Sequence, residues 1–237
     1  MPVRFEAEHL HWSSRGFPLL RGVSFVVEAG EILVIGGRSG SGRSTLLEIA
    51  AGLKRPLSGR VLWDDVDIAA MSRKELLAAR ERIGFLFQRH ALIANYSIFE
   101  NIALPLRIRG TLTEREVGLR VHAVMEEVAL FDVERLFPES LSNGQLRSAA
   151  LARALSTDPE MLFLDEPLSG IDPQTASGIR AVLADGQRRK PRTVITVSHD
   201  VNLWTPLHSR ITVLSDGKLV AMHDESPFML QPAEGER

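Results

Sequence analysis

The chain contains no cysteine. That rules out a disulfide framework and cysteine-ligated zinc, and leaves the compartment to be argued on other grounds. No apolar run approaches the roughly 20 residues that a membrane-spanning helix needs. The first ten residues, MPVRFEAEHL, hold no apolar signal core. The expected location is therefore the cytoplasm, with any membrane role supplied by a partner. Excess charge of one sign is also missing. Lys and Arg number 28 against 30 Asp and Glu, a formal net charge of −2, which argues against a nucleic-acid binder working through bulk charge. Repeats and low-complexity tracts are absent. What is present is 237 residues, 44% hydrophobic and 24% charged, which suits one large α/β domain or one with an inserted lobe.

Hydrophobic periodicity gives the order of elements. Residues 31–35 (EILVI) read as a short buried strand, followed by a glycine-rich loop and a helix over STLLEIAAGL with Gly52 just past its end. RVLWDDVDI reads as a strand leading into a loop, and Ser72 with Glu75 as a capping box opening a helix to about Arg82. Ile83 to Gln88 reads as a strand. From there to about Leu155 the pattern is mostly helical. Ser97/Glu100 and Thr113/Glu116 form two more capping boxes, and Val117, Val121, Val124 and Val128 make one apolar stripe. This stretch is read as an inserted helical lobe. MLFLDEP is a buried strand ending in acids, and Asp172-Pro173 opens a helix. TVITVSHD is a strand ending in polar residues, and ITVLSDGKLVAMH is a hairpin around Asp216-Gly217. The run from Arg188 to Arg192 is expected to be a solvated loop, and the tail from Asp224 to be loosely held.

Six places carry possible chemistry, each with a plainer alternative. GGRSGSGRST, residues 36–45, nearly completes G-x-x-x-x-G-K-[ST]: Gly37, Gly42, Ser44 and Thr45 fit, and Arg43 stands where lysine belongs. Placed after a strand and before a helix, its backbone N–H groups suit phosphate; otherwise it is a flexible connection. LFLDEP brings Asp165 and Glu166 to a strand end, where one suits Mg²⁺ and the other a general base, or both cap a turn. LSNGQ offers Ser142, Gly144 and Gln145 at a helix start, either as anion donors or only as a capping box. Gln88 at a strand end could touch Mg²⁺ and water, His199 could donate to a phosphate, and Trp12 could stack on a purine. Each of these three more commonly packs or faces solvent.

Their order carries more than any one of them. The glycine loop, Gln88, LSNGQ, LFLDEP, Ser169-Gly-Ile-Asp172 and SHD follow one another in that order, and as a set over residues 4–223 they resemble the nucleotide-binding subunit of an ABC transporter. The resemblance implies a P-loop NTPase (RecA-like) core with a mostly parallel sheet, an N-terminal antiparallel β part and an inserted α-helical subdomain. The single ABC ATPase domain would have its core at 1–88 and 156–223, the helical subdomain at 89–155 and a tail at 224–237. It implies ATP and Mg²⁺ as cofactors. Gly37, Ser39, Gly40, Ser41, Gly42, Arg43, Ser44 and Thr45 would hold phosphates, Trp12 would stack on adenine, and Ser44, Gln88 and Asp165 would serve the metal. Glu166 would be the catalytic base, His199 the switch histidine, Asp172 the D-loop aspartate and Gln88 the link to the membrane subunit. Ser142, Gly144 and Gln145 would face the ATP of a second ATPase subunit, a head-to-tail homodimer partner. An integral membrane permease would dock on the helical subdomain and hold the chain peripherally on the cytoplasmic face of the inner membrane, with no nucleic-acid partner.

Three residues depart from the pattern. Asn143 replaces a signature glycine, tolerable because asparagine accepts left-handed backbone. Ser169-Gly-Ile-Asp172 differs mildly from the usual SALD. Arg43 leaves two readings open: a hydrolysing motor with an unusual cation, or a weakened scaffold. A soluble ABC protein acting on DNA or the ribosome is a third reading, disfavoured by the single domain. Leu86-Phe-Gln88, Ala91-Leu92, Ile98-Phe-Glu-Asn101, Leu104-Pro-Leu106 and Ala149–Ala154 are similar to the ATPases of bacterial Mce-type lipid systems, which implies phospholipid transport. Amino-acid importers and lipoprotein exporters share parts of this segment.

Overall fold

The computed structural model describes residues 1–207 and 209–221, so the tail expected from Asp224 lies outside the described residues. Strands β1 (Phe5–Ser14) and β2 (Phe17–Val27) precede β3 (Ile32–Gly36) and helix α1 (Arg43–Ala50). Next come β4 (Ser58–Trp63), β5 (Val66–Asp67), α2 (Arg73–Arg80) and β6 (Ile83–Leu86). Three helices follow: α3 (Ile98–Arg109), α4 (Glu114–Glu127) and α5 (Asn143–Ser156). Then β7 (Met161–Asp165), α6 (Pro173–Arg189), β8 (Thr193–Val197), β9 (Arg210–Ser215) and β10 (Lys218–Ala221).

The strands form two sheets. One is antiparallel in the order β2-β1-β4-β5. The other runs β10-β9-β3-β8-β7-β6, and every pair in it is parallel except β10 with β9. Alternation explains why the second sheet is covered on both faces. Leu33, Ile35, Met161, Phe163, Ile195 and Val197 point to one side and pack with α1 and the antiparallel sheet. Ile32, Val34, Leu162, Leu164 and Val194 point to the other and pack with α3, α4, α5 and α6. Each such side chain contributes roughly 1.5–3 kcal/mol over its exposed state. The stripe Val117, Val121, Val124 and Val128 joins the second cluster, so the helices inserted between β6 and β7 share a core with the sheet.

The expected capping boxes all form, at Ser72/Glu75, Ser97/Glu100, Thr113/Glu116 and Ser142/Gln145. Several expectations need correction. Trp12 lies inside β1, a strand ahead of residues 31–35, where the sequence pattern first reads as strand. β6 stops at Leu86 and β8 at Val197, which leaves Gln88 and His199 in loops beyond the strand ends. The basic run is not a solvated loop throughout. Arg188 and Arg189 close α6, but Arg192 is buried, donating to the Pro159 carbonyl at 3.0 Å and to Asp158 at 2.9 Å.

Candidate functional site

In an open parallel sheet, ligand sites gather where the strands end at their carboxyl side. Here β3, β8 and β7 lie side by side and in register, with Ile35 beside Val197 and Val197 beside Asp165. The next residues of these three strands are the glycine loop, Ser198-His199 and Glu166. Topology therefore brings the glycine loop together with two motifs that lie more than 100 residues further along the chain.

The loop is shaped for a ligand. Ser39 and Gly40 are exposed. Gly37 has φ 144°, and a Cβ there would sit 2.6 Å from the Leu214 carbonyl, so only glycine fits. Helix α1 has no side-chain cap at Gly42, whereas α2, α3, α4, α5 and α6 are each capped by a Ser, Thr or Asp. Its first N–H groups, at the positive end of the helix, are thus left without a protein cap. Ser41 Oγ is buried with no hydrogen-bond partner.

Arg43 is the first residue of α1, and its side chain turns inward. Its guanidinium is buried and donates to Glu166 Oε1 at 2.9 Å, to the Ser198 carbonyl at 2.7 Å and to the Gly37 carbonyl. Burial lowers its pKa, opposed by the charges of Glu166 and then Asp165. The other Glu166 oxygen, Oε2, accepts from the His199 backbone N–H at 3.2 Å and lies 2.7 Å from His199 Nδ1. Glu166 has φ 50°, a left-handed backbone that is uncommon away from glycine and frequent at functional sites.

Ser44 Oγ donates to Asp165 Oδ1 at 3.1 Å. Burial raises Asp165 to about 6, the Ser44 bond opposes this, and the nearby Glu166 and Glu48 charges add to it. An Mg²⁺ ion takes few protein ligands and fills its shell with water and phosphate oxygens. A hydroxyl beside a carboxylate suits that, and among the described residues no group of three or more His, Asp or Glu could hold a metal alone. The residues present therefore fit a Mg-nucleotide: an uncapped helix end, an unsatisfied hydroxyl, an open glycine loop and a hard-oxygen pair.

The remaining candidates lie elsewhere. Gln88 is exposed. Trp12 is half-buried with Lys54 Nζ 5.2 Å from its ring centroid. Ser142 and Gln145 bond each other, at 3.3 and 3.0 Å, and no hydrogen bond joins them to residues 36–45 among the described residues. Asp172 caps α6 by accepting from the Thr175 N–H and hydroxyl at 2.9 and 2.6 Å. Gly144 is packed against this cap; a Cβ there would come within 2.9 Å of Thr175 Oγ1. Asn143 is the first helical residue of α5 and has no positive φ, so tolerance of left-handed backbone is not why asparagine works there. Sequence reasoning missed Arg147. Buried on α5, it reaches the carbonyls of Phe87 and Ser169 at 3.3 and 3.4 Å, which ties the loop before Gln88 to the loop before Asp172. No local motif marks it.

Residues 20–169 match the family described as ABC transporter. The chain belongs to this family. The match spans the glycine loop, Gln88, LSNGQ and LFLDEP. A methionine import ATP-binding protein of Yersinia pestis is 36% identical over 219 residues, covering 92% of this chain and 64% of that protein. One from Carboxydothermus hydrogenoformans is 39% identical over 210 residues, covering 89% and 62%. The chain thus spans somewhat under two thirds of the length of these relatives. Among solved structures, the ABC transporter cassette MJ0796, bound as a dimer to ADP and Pi after hydrolysis, superposes with a TM-score of 0.84 at 29% identity, covering 92% of this chain and 99% of that one. The ABC cassette fold expected from the sequence is therefore the fold observed. No helix among the described residues is long and apolar enough to cross a membrane.

Proposed function

We propose that this chain is the ATP-binding and ATP-hydrolysing subunit of an ABC transporter, paired head to tail with a second ATPase subunit and docked on a membrane permease through residues 89–155. The observation that carries this is the convergence of the glycine loop, Ser44–Asp165 and Glu166–His199 at three adjacent strand ends. In this reading residues 37–45 bind the phosphates of ATP, Ser44 and Asp165 hold Mg²⁺ with Gln88 nearby, and Trp12 stacks on adenine. The bound metal supplies Lewis-acid stabilisation of phosphate charge. Glu166 accepts the proton of the attacking water, and His199, oriented by Glu166, donates to the phosphoryl group. Asp172, Ser142, Gly144 and Gln145 serve the partner's nucleotide. Ser142, Asn143 and Gln145 at the α5 end are exposed, which suits contact with a second subunit.

The transported substrate follows less directly. Much of the lipid likeness rests on residues that the fold uses for packing. Leu86, Ile98 and Leu106 are core residues, Ala149 to Ala152 are buried, and Asn101 is wholly buried. The Asn101 amide closes the turn at residues 93–97. Such residues specify the lobe and not its cargo. Since the relatives above are methionine import proteins, methionine is the first substrate to test and phospholipid the second. A weakened scaffold is favoured by one observation, the engagement of Glu166 by Arg43. The deciding experiment is Mg-ATP turnover by the complex purified in mild detergent through a tag on this chain. The motor reading predicts turnover that Glu166→Gln abolishes; absence of turnover in wild type and Glu166→Gln alike means a scaffold.

A further inference from the structure

The ion pair between Arg43 and Glu166 is more than a consequence of the arginine substitution. Both side chains are over nine-tenths buried, with exposures of 9% and 7%. Both oxygens of Glu166 already have partners in the protein: Oε1 accepts from Arg43, and Oε2 accepts from the His199 backbone N–H and lies against its ring. A carboxylate held in this way is not free to take a proton from water. The arginine, in turn, is engaged at both terminal nitrogens, one on Glu166 and the other on the Ser198 and Gly37 carbonyls. A guanidinium spreads its donors over a planar fork and can serve these separated acceptors together; an ammonium concentrates its donors at one point. The fork also matches phosphate oxygens in a bidentate way.

We propose that Arg43 is a latch on the water-activating carboxylate: its guanidinium closes on Glu166 and exchanges that carboxylate for phosphate oxygens when nucleotide is bound. The latch rests on the nucleotide reading above. Its consequence is that phosphate binding and the release of Glu166 are one event, so the general base is free only in a loaded site. It also resolves the two readings of Arg43 into one residue with two positions.

The test is ATP binding by calorimetry to the full chain in excess EDTA, where hydrolysis and metal play no part. Wild type, Glu166→Gln, Arg43→Ala and the double variant form a cycle. Removing the competing carboxylate is expected to tighten ATP about tenfold when Arg43 is present, and less than about threefold when it is absent. Wild type that binds no ATP beside a Glu166→Gln variant that does also supports the latch. Equal tightening in both backgrounds, or no tightening, overturns it and leaves the nucleotide reading intact. Failure of all four to bind, in EDTA and again with Mg²⁺ present, overturns both. A second readout uses only wild-type protein labelled with ¹⁵N-arginine. The Arg43 Nη protons are expected as separate, slowly exchanging signals without nucleotide, shifting on ATP addition. Freely rotating Nη groups before ATP is added overturn the latch whatever the variants do.

Discussion

The starts of α1 and α5 use opposite solutions to the same problem. Every helix start leaves N–H groups without partners. At α5 the chain pairs some of them itself: Ser142 and Gln145 close a capping box. At α1 it declines to do so, with glycine at the cap position and an unsatisfied Ser41 hydroxyl beside it. The α5 end is partly satisfied without a ligand, while the α1 end is left wholly for an anion. The same comparison separates stability from function, because a residue that caps its own helix acts in the isolated chain, and one that waits for phosphate acts only with ligand.

The largest effect should follow from closing the α1 loop. Gly37→Ala forces a Cβ against the Leu214 carbonyl and should reduce turnover by about a hundredfold or more, as a displacement of ~1 Å does in a positioned site. Turnover within threefold of wild type would mean that the loop does not hold the phosphates.

Asp165 sharpens the contrast by its pH dependence. Its folded value, about 6, lies above its ordinary 3.8. Between those values the folded chain holds a proton that the unfolded chain has lost. Stability from this group is therefore fully present below about pH 4 and is lost as pH rises through 6. Asp165→Asn mimics the protonated form, so it should stabilise the ligand-free chain at pH 7.5, by at most on the order of 3 kcal/mol, and change little at pH 4. Denaturant unfolding at the two pH values measures this. Destabilisation at pH 7.5 would contradict it.

At the α5 end the expected pattern is reversed. Ser142→Ala should cost about 1 kcal/mol in unfolding of the isolated chain and leave its ATP affinity unchanged within twofold. A large loss of ATP affinity in the monomer would place α5 at its own chain's nucleotide. The smallest effect belongs to Trp12. Trp12→Phe keeps an aromatic face and should weaken ATP by less than about fivefold, or ~1 kcal/mol, in the same binding assay.

Much of this was legible from the sequence because it is local. Capping boxes need only four residues, and each one read from the sequence forms. The unbroken apolar runs ILVI and MLFL marked the buried strands, because successive side chains face opposite sides of a sheet that is covered on both. What escaped was long-range. Arg192 looked solvated in a basic run, but Pro159 and Asp158, more than 30 residues away, fold over it. Arg147 joins two loops from a third element and leaves no local trace. Asn101 and Leu106 seemed to point to a lipid cargo because a pattern of residues does not show which of them face inward. Arg43 was legible as an oddity, but the direction of its side chain depends on Glu166, 123 positions later.

The most direct test of the comparison is complementation between two inactive chains. One carries Gly37→Ala, which spoils the α1 end, and the other Ser142→Arg, which spoils the α5 end. Complexes assembled from a one-to-one mixture contain mixed pairs in which one intact α1 end faces one intact α5 end. The account predicts recovery to about a quarter of wild-type turnover, the statistical share of intact sites in a symmetric pair. A mixture as inactive as either variant alone would contradict it.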